Sequence, residues 1–543
     1  MNARSVATTP FPDQQPGTAG LRRKVAVFQQ PNYLENFLQS IFDSAGDFRG
    51  STVIAGGDGR YFNREALQVL AEMAAANGVA RLVVGVGGLL STPAASILIR
   101  ERSALGGFLL TASHNPGGPD GDFGLKFNTH TGGQASESLT AEIYDTSRSL
   151  SRYLSAEIGP VDLDRPGIHR YGELELEVID PVASYAGLME SLFDFDRIAG
   201  LLAGPFRMCF DAMHAVTGPY AEEILVRRLG AAEGSVINAV PLPDFGGGHP
   251  DPNPVDASHL VQLMASDDAP DFAAASDGDG DRNMILGRNL VVSPGDSLAI
   301  LAANAGSVPG YSRGLAGVAR SMPTSRAVDA VAARLDIPCF ETPTGWRFFC
   351  NLLEAGHADL CGEESFGTSS SHAREKDGLW AVLFWLNLQA TSGLDVPALV
   401  AAHWREYGRH AYCRHDYFIP DAGVGRDILD GLESRVGTFV GREAAGTRIA
   451  RADVFSYQDP VDGSVSEHQG VRVVMEDDSR VVFRLSGTGT AGATLRVYLE
   501  RFIPGDRDCS GDAARLTADL GRAARDMARL PEMAGLSQPT GII

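Results

Sequence analysis

Three times before Val400, a short apolar run of strand type gives way to a helical repeat and then to another apolar run, and this alternation leaves few architectures open. In the first instance Ser51-Thr52-Val53-Ile54 is β-rich, Asn63 is placed to cap a helix over 64–76, and Asn77-Gly78 stops it. A second apolar run follows at 81–86. Thr92-Pro93 then opens a helix that runs to residue 104, Gly106-Gly107 ends it, and a third run lies at 108–110. Such a strand-helix-strand-helix-strand segment predicts a mostly parallel sheet with helices on its faces. The second copy has strands at 207–210, 236–239 and 272–275 with helices at 220–229 and 258–265. The third has helices at 296–303, 325–335 and 346–353 with strands at 314–320, 338–340 and 359–361. The copies share a plan and not a sequence.

Beyond Val400 the rhythm changes to a helix over 426–440, alternating strands at 471–475, 480–485 and 495–499, and a closing helix over 513–528. This pattern predicts a smaller α+β domain with an antiparallel sheet. At about 150 residues per domain, a chain of 543 residues holds three to four such units. We expect them at 1–180, 181–292, 293–403 and 404–543.

Charge narrows the function. The net charge is −22, from 46 basic and 68 acidic residues, so no diffuse basic face exists to neutralise a nucleic-acid backbone or an anionic membrane. An anionic ligand would need a local cluster of Arg, Lys, backbone N–H groups or metal. The six cysteines form no C-x-x-C pair, which points to neither a zinc site nor a disulfide framework, and a reducing compartment is the default. The start of the chain has no apolar signal-type region, and the longest apolar run, 379–386, is far too short for a membrane span. The expectation is a cytoplasmic protein with no nucleic-acid and no membrane partner.

Four loops carry residue types suited to chemistry, and each follows a strand or closes a strand-helix unit, where open sheets bind ligands. Thr111-Ala112-Ser113-His114-Asn115-Pro116-Gly117-Gly118 reads either as a polar turn or as a serine nucleophile held rigid by Pro and Gly beside His114. It lacks the G-x-S-x-G of a hydrolase elbow. Asp277-Gly278-Asp279-Gly280-Asp281-Arg282 sets three carboxylates at alternate positions, with glycines that let them converge on one hard divalent cation. Arg282 and Arg288 occupy the places where an EF-hand needs Gly and Glu, so that motif is rejected, and a solvated acidic turn is the bland alternative. Gly362-Glu363-Glu364-Ser365-Phe366-Gly367, with Lys376-Asp377-Gly378 beyond it, suits vicinal sugar hydroxyls or is a polar loop, and Thr342-Pro343-Thr344-Gly345 is a weaker signal still. Arg484-Leu485-Ser486-Gly487-Thr488-Gly489-Thr490, with Arg496 on the next strand, offers hydroxyls, backbone N–H groups and guanidinium to a phosphate, or is a Gly/Thr hairpin.

In this order and at these separations the four loops resemble those of the α-D-phosphohexomutase superfamily, and within it the phosphoglucomutase family. The likeness runs from Pro12-Asp13-Gln14 and Pro16-Gly17-Thr18-Ala19-Gly20-Leu21-Arg22 to about Arg501, and includes Asp459-Pro460-Val461-Asp462-Gly463. It implies an α/β protein of three related domains with mixed, mostly parallel sheets and a C-terminal α+β domain like the TATA-binding-protein fold, all around one cleft. It implies the interconversion of α-D-glucose 1-phosphate and glucose 6-phosphate through a phosphoserine enzyme and glucose 1,6-bisphosphate. Ser113 would carry the phosphoryl group, Asp277, Asp279 and Asp281 would bind Mg²⁺ together with an oxygen on Ser113, and Arg282 would steady the phosphoryl group. Glu363 and Ser365 would face the sugar, and the G-E-E-S-F-G form favours glucose over the G-E-M-S-G and G-E-Q-S-G of mannose- and glucosamine-type relatives. Lys126, Thr344, Gly345 and Lys376 match active-site positions, and Arg484, Ser486, Gly487, Thr488 and Arg496 match the distal phosphate site. Two departures stand out: Ala19 where many members have Ser, and Arg326 where Gly follows M-P-T-S, a change expected to alter the cleft electrostatics.

The chemistry needs charge neutralisation and in-line positioning, which Mg²⁺, Arg282 and Arg22 can supply around Ser113. It also needs a proton shuttle. Lys376 is the first choice, with a pKa expected to be lowered by burial near arginines, and His114 is the second. A non-catalytic phosphoprotein scaffold and a Mg²⁺-dependent phosphatase are the alternatives, and monomer and dimer both stay open.

Overall fold

A computed structural model describes residues 3–17, 19–486 and 492–543. The strand-helix alternation folds into three mixed sheets, each with parallel strands flanked by antiparallel ones at one margin or both. The first has seven strands in the order Leu21–Lys24, Asp122–Thr129, Gly106–Leu110, Thr52–Gly57, Arg81–Leu89, Leu174–Ile179 and Gly167–Tyr171. The second runs Val236–Ile237, Met208–Asp211, Phe272–Ser276, Asn283–Gly287, Leu290–Val291, and the third Cys339–Thr342, Val318–Ser321, Leu360–Glu363, Gly367–Ser370. In each, the strand after a chemistry-bearing loop returns antiparallel to the strand before it: Phe108 pairs with Phe127, Ala274 with Ile285, and Cys361 with Ser369. The return strands of these hairpins, Asp122–Thr129, Asn283–Gly287 and Gly367–Ser370, are not among the expected strands.

Several local expectations change. The second helix spans Thr92–Glu101 and is capped by Ser91, whose side chain accepts from the Ala94 N–H. Gly106 and Gly107 do not end it but belong to the next strand, where a Cβ on Gly106 would lie 2.4 Å from the Phe127 ring and one on Gly107 2.7 Å from Ile99. Asn63 is not a cap: it is the first helical residue, and its buried amide donates to the Gly88 carbonyl at 3.2 Å. The helix expected at 220–229 is a short α-turn, Thr217–Ala221, running into a π-helical stretch, Glu222–Arg228.

The apolar run 379–386 lies inside the helix Gly378–Ser392, which is buried along most of its length at the centre of one core shared by the first three units. A helix apolar on all sides needs such surroundings. Among the described residues, no helix is long and apolar enough to cross a membrane.

The fourth sheet is wholly antiparallel, in the order Glu443–Ala444, Thr447–Val454, Val471–Met475, Arg480–Ser486, Ala493–Ile503, Arg409–Ile419, Gly541–Ile542. The helices Ala422–Arg435 and Ala518–Met527 complete its own core with Val473, Phe483 and Val497. Period-two alternation turns the other face, with Arg480, Val482, Arg484 and Ser486, toward the rest of the molecule. The register sets Arg484 opposite Arg496, Val482 opposite Tyr498 and Arg480 opposite Glu500. Met322, Phe348, Tyr457, Val482 and Tyr498 form the small apolar seam there.

Candidate active site

The serine loop leaves the strand Gly106–Leu110 and is held from behind by groups that sequence reasoning missed. Ser113 adopts a left-handed conformation, φ 52°. Its N–H donates to Thr111 Oγ1 at 2.8 Å, and the Thr111 hydroxyl donates to Asp58 Oδ2 at 2.6 Å. Arg60, fully buried with Asp58, donates from Nε to that carboxylate at 2.9 Å and from Nη2 to the Ser113 carbonyl at 2.7 Å. A further Arg60 bond reaches the Asp122 carbonyl at 2.8 Å, and its guanidinium lies 5.2 Å from the Phe245 ring centroid. The signal available in the sequence was Gly56-Gly57-Asp58-Gly59-Arg60, a charged pair in a Gly-rich turn at the carboxyl end of a strand.

With its backbone fixed, the Ser113 hydroxyl donates to Asp277 Oδ2 at 2.9 Å and lies 3.3 Å from His114 Nδ1. Asp277, Asp279 and Asp281 converge: their carboxylates each offer an oxygen within 4.8 Å of the others, and all three are buried. Asp279 Oδ2 accepts from the Thr92 hydroxyl at 2.7 Å, while Asp279 Oδ1 and Asp281 Oδ1 have no hydrogen-bond partner. Burial, and then repulsion from Asp281 and Asp279, hold the Asp277 carboxyl well above the usual carboxylate range. Three buried, mutually repelling hard oxygen donors with unpartnered oxygens fit a divalent cation such as Mg²⁺. His249, Asp251 and Asp256 also gather, but Asp251 faces Arg282 at 3.3 Å, and Asp256 is occupied by His249 and Asn253.

Arg282 Nε is 3.8 Å from Asp277 and 3.9 Å from Asp281. Burial opposes its charge, but Asp251, Asp277 and Asp281 raise its pKa further. The Arg22 pKa is lowered by burial and by Arg282 and Arg60, and among the described residues no ion pair holds its guanidinium. Burial and the neighbouring cations Arg282, Arg22 and Lys376 push the His114 imidazole well below its ordinary pKa, so it is neutral.

Lys376 corrects an expectation. Burial lowers its pKa as foreseen, yet Asp281 at 3.3 Å and Glu363 at 3.8 Å raise it by more, and the net shift is upward. The expectation weighs burial and the cleft arginines, whereas the carboxylates that decide the shift reach Lys376 from two other loops. Glu363 Oε1 accepts from the Gly345 N–H at 3.0 Å, which joins the 362–367 loop to Thr344-Gly345, and the Thr344 hydroxyl is unpartnered. Lys126 pairs with Glu375 at 3.1 Å, and Asn128 and Gln134 also donate to Glu375.

Arg22, Ser113, His114, Lys126, Asp281, Arg282, Thr344, Gly345, Glu363, Ser365, Lys376, Arg484, Ser486 and Arg496 all line one cleft with about 320 Å³ of open space. Gly487 and Thr488 lie outside the described residues. The cleft wall also includes Gln134, Asp251, Asn253 and Arg414, which carried no sequence signal of their own. Arg326 is not on it: its N–H donates to Glu500 Oε1 at 2.8 Å and its guanidinium reaches the Asp478 carbonyl, so it ties the third unit to the fourth.

Four family models match successive stretches of the chain. Those described as phosphoglucomutase/phosphomannomutase α/β/α domains I, II and III match residues 13–153, 183–290 and 294–407, and the phosphoglucomutase-1 C-terminal domain matches 409–540. Fold and loops together define a phosphohexomutase. A phosphoglucomutase of Rhizobium radiobacter is 53% identical over 99% of both chains, and the cytoplasmic phosphoglucomutase of Populus tremula is 48% identical over 100% of this chain and 99% of its own. The open-form crystal structure of pp63/parafusin, an exocytosis-sensitive phosphoprotein and phosphoglucomutase from Paramecium, superposes with a TM-score of 0.93 at 44% identity, covering 100% of this chain and 99% of that one. The chain belongs to the phosphoglucomutase family, and as a mutase it is an isomerase.

Proposed function

We propose that this protein interconverts α-D-glucose 1-phosphate and glucose 6-phosphate, with Ser113 as the phosphoryl carrier and glucose 1,6-bisphosphate as the intermediate and activator. The observation that carries this reading is the shared cleft. A hydroxyl fixed on an acidic cluster stands in the same cavity as the paired Arg484 and Arg496. One site acts on a phosphate while the other holds a second one. Each of the four units, divided at 1–180, 181–292, 293–403 and 404–543, supplies one loop.

Asp277, Asp279 and Asp281, with Ser113, would hold a Mg²⁺ ion, which would supply Lewis-acid neutralisation of phosphoryl charge. The rest of the work belongs to the chain. Arg22 and Arg282 neutralise the equatorial oxygens of the moving phosphoryl group, and the Arg60 brace holds the serine in line. Glu363 and Ser365 orient the sugar hydroxyls, with Thr344, Gly345 and Lys126 beside them. Arg484, Ser486, Gly487, Thr488 and Arg496 grip the phosphate that is not reacting. Lys376 carries its proton and enters as the acid, while neutral His114, 3.3 Å from Ser113 Oγ, is placed to receive one. The acidic whole-chain charge is overcome locally by the basic residues of the cleft, which suits a sugar phosphate. The relatives include proteins named cytoplasmic and chloroplastic, and we assign this one to the cytoplasm.

The test is a coupled assay for glucose 6-phosphate formed from glucose 1-phosphate, run beside an assay for released inorganic phosphate. Glucose 6-phosphate without phosphate release is expected. Phosphate release alone would indicate a phosphatase, and neither product a scaffold.

A further inference from the structure

Lys376 reaches the cleft on a segment whose own hydrogen bonds run away from the substrate, into the apolar core. Trp380 Nε1 donates to the Tyr311 hydroxyl at 2.8 Å, and the Tyr311 and Ser370 hydroxyls are 2.5 Å apart. Ser370 Oγ lies 2.7 Å from His372 Nδ1, and His372 Nε2 lies 2.9 Å from Asp377 Oδ2. Asp377 Oδ1 accepts from the Tyr185 hydroxyl at 2.6 Å and from the Trp380 N–H at 3.0 Å, which closes the ring. The His372 and Asp377 side chains are 2% and 0% exposed.

The two ends give this chain one direction. An indole N–H only donates and a carboxylate only accepts. Tyr311 therefore donates to Ser370, Ser370 to His372 Nδ1, and His372 from Nε2–H to Asp377, with no donor left over. The His372 ring also stacks on Trp380, with centroids 5.5 Å apart and an interplanar angle of 19°, which stops it from turning.

Asp377 sits between two residues that must meet the metal loop. Before it, Lys376 Nζ stands 3.3 Å from Asp281. After it, the Gly378 N–H donates to the Gly280 carbonyl at 3.0 Å, so closely that a Cβ on Gly378 would fall 2.0 Å from the Arg282 carbonyl oxygen. We propose that His372 and Asp377 are positioning residues for the mutase reaction: the one-way hydrogen-bond chain pins the 370–377 segment so that Lys376 Nζ is held at its place in the cleft, 3.3 Å from Asp281. This rests on the reading of Lys376 as a residue of the mutase site.

Asp377→Asn is the informative variant. Its carbonyl oxygen can still accept from Trp380 N–H and Tyr185, so the helix cap survives, but its amide faces His372 Nε2–H. Reversing the chain to accommodate it would leave the Tyr311 hydroxyl proton without an acceptor, because Trp380 still donates to that oxygen. Turnover number, KM for glucose 1-phosphate and melting temperature are to be measured for the full-length enzyme, Asp377→Asn, His372→Ala, Lys376→Ala and the Asp377→Asn/Lys376→Ala pair. Asp377→Asn and His372→Ala should each lower kcat on the order of 10- to 100-fold, with KM changed by less than about twofold. The double variant should be no slower than Lys376→Ala alone, since Asp377 acts through Lys376. Additive losses in the double variant, or a lowered melting temperature with unchanged kcat, overturn the proposal. A fully active Lys376→Ala overturns the assignment of Lys376, and the positioning role falls with it.

Discussion

The serine-and-metal half of the cleft and the phosphate-clamp half handle charge in opposite ways. Around Ser113 most cations have a counter-charge in place: Arg60 with Asp58, Arg282 with Asp251, Lys376 with Asp281 and Lys126 with Glu375, Arg22 being the exception among the described residues. On the clamp strands Arg484 and Arg496 are cross-strand neighbours of like sign, and among the described residues neither meets a carboxylate at ion-pair distance. Like charges placed opposite each other destabilise a sheet until an anion joins them. On the proposed reading the first half is, its metal apart, organised for chemistry before substrate arrives, whereas the second is completed by a phosphate. Damage to the first should remove reaction, and damage to the second should loosen grip.

The hardest test of that contrast is Ser113→Ala. Turnover should fall to background, because the nearby Thr111 hydroxyl is already spent between the Ser113 N–H and Asp58. Intact-mass measurement of active wild-type enzyme should show one phosphate, and full activity without it would take the serine out of the chemistry.

Removing metal comes next. EDTA should stop turnover reversibly, and Asp279→Asn should weaken Mg²⁺ affinity on the order of 10-fold or more. Asp277 adds a pH signature. Its folded pKa is raised above the ordinary value of 3.8, so the metal-free fold binds that proton more tightly than the unfolded chain does. The group's stabilisation is full below 3.8 and is lost as pH rises through the folded value. In EDTA, Asp277→Asn should therefore melt higher than wild type at neutral pH, on the order of 2 °C, and with a flatter pH slope. Identical slopes would mean that neither burial nor the neighbouring carboxylates raise the Asp277 carboxyl in the fold.

On the clamp side the effect should be smaller and of another kind. Arg484→Ala should weaken retention of the bisphosphate about 10- to 100-fold, the worth of one charge-assisted bond. The variant should stall after a few turnovers, recover when glucose 1,6-bisphosphate is added, and keep its Mg²⁺ affinity. Steady turnover without added bisphosphate, at unchanged KM, would erase the distinction between the halves. Smallest of all, Arg326→Gly should leave kcat and KM within about twofold and cost about 1 kcal/mol of stability, because the backbone N–H keeps its bond to Glu500 and the guanidinium bond to the Asp478 carbonyl is lost. A large KM change would show that the clamp's field depends on more than its own arginines.

The serine and aspartate loops were legible because their chemistry is written in adjacent residues: alternating carboxylates between glycines have few other uses, and so does a hydroxyl between Thr and Pro. The brace of Asp58 and Arg60 was not, since it joins Ser113 only when the strand Thr52–Gly57 lies beside Gly106–Leu110. The direction of the Lys376 shift failed for the same reason: Asp281 and Glu363 are far away along the chain and 3.3 and 3.8 Å away in space. The central helix Gly378–Ser392 could be read as apolar on all sides, but not as the shared floor of three units, because nothing local says which elements cover those sides.

The left-handed backbone at Ser113 has a consequence for which alcohol the site can use. Threonine offers the same hydroxyl and forms phosphate esters as readily. At φ 52°, however, a β-branched side chain crowds its own carbonyl, whereas the single Oγ of serine does not. Backbone geometry, more than the reactivity of the alcohol, excludes threonine here, and a Ser113→Thr enzyme would have to unwind the turn held by Arg60 before it could take up phosphate.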